Sequence, residues 1–184
     1  GRDIILIGHK GHPEVIGTLG RHPADSDTKI YLIEDYKDIE KLEIKSSEMA
    51  YVTQTTLSVD ETKGLIEALK MKYPQIIGPS ADDICYATQN RQDAVKQLSL
   101  ECEIVLVIGS KTSSNSNRLK ELAEKCGTTS FLIDDKSDIN IEELQNASSV
   151  GITAGASAPE EIVQEVISFL YPLGFMTVRN LSEN

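Results

Sequence analysis

Five stretches of the chain gather side chains able to move protons, hold anions or ligate metal. In Gly8-His9-Lys10-Gly11-His12-Pro13-Glu14, an imidazole and a carboxyl stand two positions apart, and Pro13 suits the first turn of a helix. Groups of these types serve as general acids and bases. A first-turn Glu also simply favours the helix dipole, and the residues alone leave both readings open. Gln54-Thr55-Thr56-Leu57-Ser58 follows, with Ser58 and Glu61 spaced as a capping box. Gly109-Ser110-Lys111-Thr112-Ser113-Ser114-Asn115-Ser116-Asn117 and Thr153-Ala154-Gly155-Ala156-Ser157-Ala158-Pro159 both precede helical patterns. Small hydroxyl and amide side chains there add donors to the free amides of a helix N-terminus, a place suited to phosphate or diphosphate. One such loop alone would be read as a cap. The run from Ser113 to Asn117 exceeds what capping needs. Cys85, in Asp82-Asp83-Ile84-Cys85-Tyr86, precedes a helix, where a thiol's pKa is lowered toward that of a nucleophile or metal ligand. The commoner fate of a lone Cys is burial as a small hydrophobe.

The elements that must position these loops are legible. Apolar, β-branched runs lie at Ile4 to Ile7, Ile30 to Ile33, Ala50 to Thr53, Ile104 to Ile108, Ser130 to Ile133 and Ser149 to Ile152. They are continuous rather than alternating, as in strands covered on both faces of a parallel sheet. Between them, Leu65, Ile66, Leu69 and Met71, then Leu119, Leu122 and Ala123, then Ile162, Val163, Val166, Ile167 and Leu170 fall near helical spacing. The expected fold class is α/β: two similar small lobes, residues 1–78 and 79–184, each a three- to four-stranded, mostly parallel sheet flanked by helices. The boundary is placed at Pro74 and Gly78-Pro79. In such sheets ligands gather at the carboxyl ends of strands, where four of these five stretches fall.

Composition narrows the function. Eighteen Lys and Arg against 29 Asp and Glu give a net charge of −11, which opposes a general nucleic-acid or basic membrane-surface role. No apolar run reaches membrane-spanning length. Three scattered cysteines with no C-x-x-C pair make neither a disulfide framework nor a self-sufficient metal site, and suggest a reducing cytoplasm. Walker A and G-x-G-x-x-G patterns are absent, which disfavours ATP and dinucleotides. The chain opens on Gly1-Arg2-Asp3, without Met and directly before an apolar run, as a piece of a longer protein would.

Read together, GHKGHPEV, TQTTLSVDET, DDICYATQNRQ, GSKTSSNSNRL and TAGASAPE resemble, in order and over nearly the whole chain, the 4-hydroxy-3-methylbut-2-enyl diphosphate reductases, the IspH/LytB family. The resemblance implies an iron–sulfur oxidoreductase of the last non-mevalonate step of isoprenoid biosynthesis. Such an enzyme removes the hydroxyl of an allylic diphosphate to give isopentenyl and dimethylallyl diphosphate. It implies a 4Fe-4S cluster held by three Cys, with Cys85 as one metal ligand. Glu14 would supply the proton that releases water, and Thr55 would relay or orient it at the substrate. His12 would line the substrate pocket, and Ser113, Ser114, Asn115 and Ser157 would bind the diphosphate. A ferredoxin or flavodoxin would donate electrons. Members of the family are similar to three α/β lobes around the cluster, and this chain matches the middle and C-terminal ones. The other cluster cysteines and further substrate-binding His residues would come from the absent N-terminal lobe, and the isolated piece is expected to be inactive. Cys102 and Cys126 match neither cluster position and read as structural.

Two other classes of function compete. The alternative is a non-catalytic phosphate- or diphosphate-binding α/β module. A cysteine hydrolase or transferase pairing Cys85 with His12 is a third, and it requires a rapidly alkylated Cys85 at neutral pH.

Overall fold

A computed structural model of the chain describes residues 1–79, 84 and 86–181. They form two compact units, residues 1–85 and 86–184.

In the first unit, β1 (Asp3–Ile7), β2 (Ile30–Ile33) and β3 (Met49–Thr53) make a parallel sheet of order β2-β1-β3. Ile5 and Ile7 point to one face and pack with Met49, Tyr51, Leu65 and Leu69, beneath α2 (Tyr36–Lys41) and α3 (Val59–Lys72). Leu6 points the other way, toward the side of α1 (Pro13–Gly20) that buries Val15. Both faces of the central strand are therefore dry, as its unbroken apolar run predicts. Helix α3 starts as the Ser58–Glu61 spacing predicts, Ser58 Oγ accepting from Glu61 N at 3.5 Å. Met71, placed on its buried stripe from the spacing, is instead 84% exposed. It lies two positions past the fully buried Leu69, about 200° around the helix, and so faces water.

The second unit repeats the plan. Here β4 (Ile104–Ile108), β5 (Thr129–Ile133) and β6 (Val150–Ala154) pair in parallel in the order β5-β4-β6. Every residue of β4 is buried. Ile104, Leu106 and Ile108 pack under α6 (Ile141–Leu144) and α7 (Glu160–Leu170), and Val105 and Val107 under α4 (Tyr86–Glu101) and α5 (Ser114–Lys125). Among the described residues each unit thus has three strands. Corresponding turns match in detail, for Glu34 N donates to Asp38 Oδ2 and Asp134 N to Asp138 Oδ2, both at 2.9 Å. Asp135 caps a short 3-10 turn (Lys136–Asp138), and donation from the hydroxyl and amide of Ser137 holds its carboxyl below the usual carboxylate range.

Candidate functional site

The turn after β1 begins with Gly8 N donating to Ile33 O (3.1 Å) and closes with His12 N donating to His9 O (3.0 Å). Gly11 takes a φ of 87° within it, a conformation that favours glycine. His12 is the N-cap of α1, its Nδ1 accepting from Glu14 N at 3.2 Å. An accepting Nδ1 leaves the neutral ring's proton on Nε2. The 4.0 Å approach of His12 Nδ1 to Glu14 Oε2 is therefore not an ion pair in that tautomer.

Two residues beyond the cap, in the first turn of α1, the Glu14 carboxylate closes on the loop after β3. Thr55 Oγ1 donates to Glu14 Oε1 at 2.5 Å and Thr55 N to Glu14 Oε2 at 3.1 Å. Two donors on one residue fix both oxygens. Glu14 is half-buried and borders a cleft of about 240 Å³, whose other walls include Gly17, Thr18, Arg21 and Thr53. Gln54 supports this arrangement, although its type and spacing gave no chemical signal. It is 3% exposed, and its Oε1 accepts from His9 N (3.0 Å) while its Nε2 donates to Thr56 Oγ1 (3.0 Å). One buried amide thus ties the turn after β1 to the loop after β3.

The second unit carries the hydroxyl-rich loops. Gly109 N donates to Ile133 O and Gly155 N to Ile108 O, which brings the ends of β4, β5 and β6 level. Ser113 caps α5 by accepting from Ser116 N at 3.3 Å, and Asn117 Nδ2 donates to the carbonyls of Lys111 and Ser113, both at 2.8 Å. Two of the five polar residues thus make hydrogen bonds within the loop. Asn115 is different: it is 8% exposed, yet neither its Oδ1 nor its Nδ2 has a hydrogen-bond partner among the described residues. Leaving a buried amide unpaired costs about 1–3 kcal/mol. Ser114 lies in the same first turn, and Ser157 is exposed in the turn between β6 and α7. Helix α7 has no side-chain cap, and Ala158 N donates to Gly155 O in the turn before it. A larger open depression along α7, about 670 Å³ and bordered by Glu160, Glu161 and Glu165, contains none of these residues.

Cys85 lies outside the described residues. Among the described residues, no group of three His, Cys, Asp or Glu comes together to hold a metal ion. Cys102 packs against Gly151, and burial, with Glu101 adding to it and Arg179 opposing, pushes its thiol up. Cys126 is the exposed C-cap of α5. At neutral pH an alkylating reagent is expected to label Cys126 well before Cys102, with Cys102 labelling rising only above the ordinary thiol range. Mass spectrometry of timed samples checks this, and equal rates would contradict the burial of Cys102. Because the folded thiol ionises later than the unfolded one, its contribution to stability is complete below the ordinary thiol pKa and declines as pH rises through the raised value.

Comparison with known proteins gives a consistent result. The chain is 56% identical over 175 residues to the 4-hydroxy-3-methylbut-2-enyl diphosphate reductase of Saccharophagus degradans, a match covering 95% of this chain and 56% of that relative. It is 58% identical to the enzyme of the same name from Chromohalobacter salexigens, covering 95% of this chain and 55% of that one. The chain thus spans little more than half the length of these curated relatives. Among solved structures, the E-1-hydroxy-2-methyl-but-2-enyl-4-diphosphate reductase of Plasmodium falciparum superposes with a TM-score of 0.85 at 35% identity, over 92% of this chain and 52% of that one. The family model described as LytB protein matches residues 1–171. With that match running across both α/β units and through every loop described above, the chain belongs to the LytB family.

Proposed function

We propose that this chain supplies the middle and C-terminal lobes of a cytoplasmic 4-hydroxy-3-methylbut-2-enyl diphosphate reductase, the remaining lobe lying outside it. Removal of the allylic hydroxyl as water consumes two electrons and two protons. In this reading the electrons come from a ferredoxin- or flavodoxin-type donor. The observation that carries the assignment within this chain is the Glu14–Thr55 pair, a carboxyl whose two oxygens are held by the hydroxyl and amide of one residue.

Because Thr55 N donates to Oε2, the proton of the acid form belongs on Oε1, which then donates to Thr55 Oγ1 instead of accepting from it. Glu14 holds that proton for the departing hydroxide, and the Thr55 hydroxyl orients or relays it. His12 lies among the polar groups lining the substrate pocket. Ser113, Ser114 and Asn115, on the first turn of α5, and Ser157 bind the diphosphate, and the unpaired amide of Asn115 supports that role. The described residues do not by themselves make a metal site. Cys85 is the one ligand this chain contributes to a 4Fe-4S cluster, with the others expected from the lobe outside it.

The test joins this chain to the N-terminal part of a relative such as the Saccharophagus degradans enzyme and measures iron and acid-labile sulfide after anaerobic purification. A cluster present in that protein and lost in its Cys85→Ser variant is the expected result. No cluster in the parent rejects the reductase. A diphosphate-binding module is the second reading, favoured by the unpaired Asn115 amide alone. It predicts pyrophosphate affinity unchanged by Cys85→Ala together with no turnover.

A further inference from the structure

Ser116 is fully buried in the first turn of α5, and its Oγ has no hydrogen-bond partner among the described residues. An orphaned hydroxyl in a core costs about 1–3 kcal/mol and calls for an explanation. Its position supplies one. The Oγ occupies the space that a Cβ on Gly109 would take and also the space that a Cβ on Gly155 would take, in both cases closer than real Cβ atoms come. Gly109 follows β4 and Gly155 follows β6. The hydroxyl is therefore wedged where the helix start meets both strand ends, and the two loops it separates carry Ser113–Asn115 and Ser157.

The first unit shows what this place holds where the corresponding loops lack that run of hydroxyl side chains. There Val15 packs against Gly8, and Gln54 stands where Gly155 stands in the second unit. An apolar side chain fills the gap beside α1. In the second unit both strand-end residues are glycines and the filler is a single hydroxyl, so α5 starts close against both strand ends.

We propose that Ser116, seated between Gly109 and Gly155, is a positioning residue that sets the spacing between the Ser113–Asn115 turn and the Ser157 loop and so favours a diphosphate over a single phosphate. This rests on the diphosphate reading given under Proposed function. An anion bridging both loops needs them at one separation, whereas orthophosphate can be held by one loop alone.

Two variants test it, with inorganic pyrophosphate and orthophosphate titrated by calorimetry into the protein completed with a relative's N-terminal part. Ser116→Ala removes the spacer together with its unpaired hydroxyl. It is expected to unfold at or above the wild-type temperature while its preference for pyrophosphate over orthophosphate falls about tenfold, as misplacement on the ångström scale commonly does. Ser116→Ala with Gly155→Ala returns a spacer from the other side. The new Cβ would lie 3.5 Å from the Cβ of residue 116, an ordinary contact, and the preference is expected to recover to nearly the wild-type value. An unchanged preference in Ser116→Ala, or no recovery in the double variant, overturns the positioning role. If Ser116→Ala does not fold, the double variant decides: wild-type preference supports the proposal and its loss rejects it. A wild-type chain that binds neither anion overturns the diphosphate reading itself. Pyrophosphate binding by wild type that is indifferent to Ser116 overturns only the positioning role.

Discussion

Glu14→Gln, placed in the protein completed with a relative's N-terminal part, is expected to lower turnover by about 10²–10⁴-fold, the range over which general acids contribute. Gln preserves the length and planarity of the side chain, and its Oε1 can still accept from Thr55 N. What it lacks is a proton to give to a leaving hydroxide. Steady-state reduction of the allylic diphosphate with an artificial electron donor reads the effect directly. Iron and sulfide content should stay at the parent's level, which separates a lost proton from a lost cluster. Thr55→Val keeps shape but removes the hydroxyl, and it should cost less, about tenfold, because the backbone amide still holds Oε2. Turnover in Glu14→Gln within a few-fold of the parent would rule out the proton-donor role and make the carboxylate a loop fastener.

The largest stability effect is expected at Leu119. It is fully buried between α5 and β4, in the cluster of Val95, Val105, Val107, Leu122 and Ala123. Leu119→Ala removes buried methyl groups from a place that the helix and sheet cannot close, at a cost of about 2–5 kcal/mol. Leu100, in the neighbouring helix α4 but 86% exposed, should tolerate Ala within about 0.5 kcal/mol. Urea unfolding of both variants, followed by circular dichroism, provides the comparison. The two units can unfold separately, so the Leu119→Ala shift belongs to the transition of residues 86–184. A shift as small as that of Leu100→Ala would mean that α5 is not anchored by this core. The hydroxyl-rich turn at its start would then lose its support.

Much of the fold was legible because it rests on local apolar content. Strand β4 is Ile-Val-Leu-Val-Ile, which a parallel sheet covered on both faces accepts and a half-exposed strand would not. The hydroxyl-rich loop before α5 was legible as a polar cluster at a helix start. Its division of labour was not, since five small polar residues look alike in a string. Folding assigns Ser113 to the cap, Asn117 to the loop carbonyls and Asn115 to an unpaired burial. His12 reads as an acid/base candidate in sequence, and its capping of α1 appears only once the turn is closed. The standing of Glu14 changed in the same way, because Thr55 lies 41 residues away.

By itself, then, the sequence determined the α/β class, the strand-end location of the polar loops and, through whole strings of residues, the family. Those properties depend on short-range periodicity and on residue identity, which a linear chain displays in full. Tertiary structure alone decided that Glu14 is held by Thr55, that Gln54 ties the first turn to the loop after β3, and that Ser116 fills the space left by two glycines. Each is a contact between segments distant in the chain, made when parallel pairing aligns strand ends. Hydrogen-bond and packing distances of that kind are set by the register of the sheet, which no local pattern specifies.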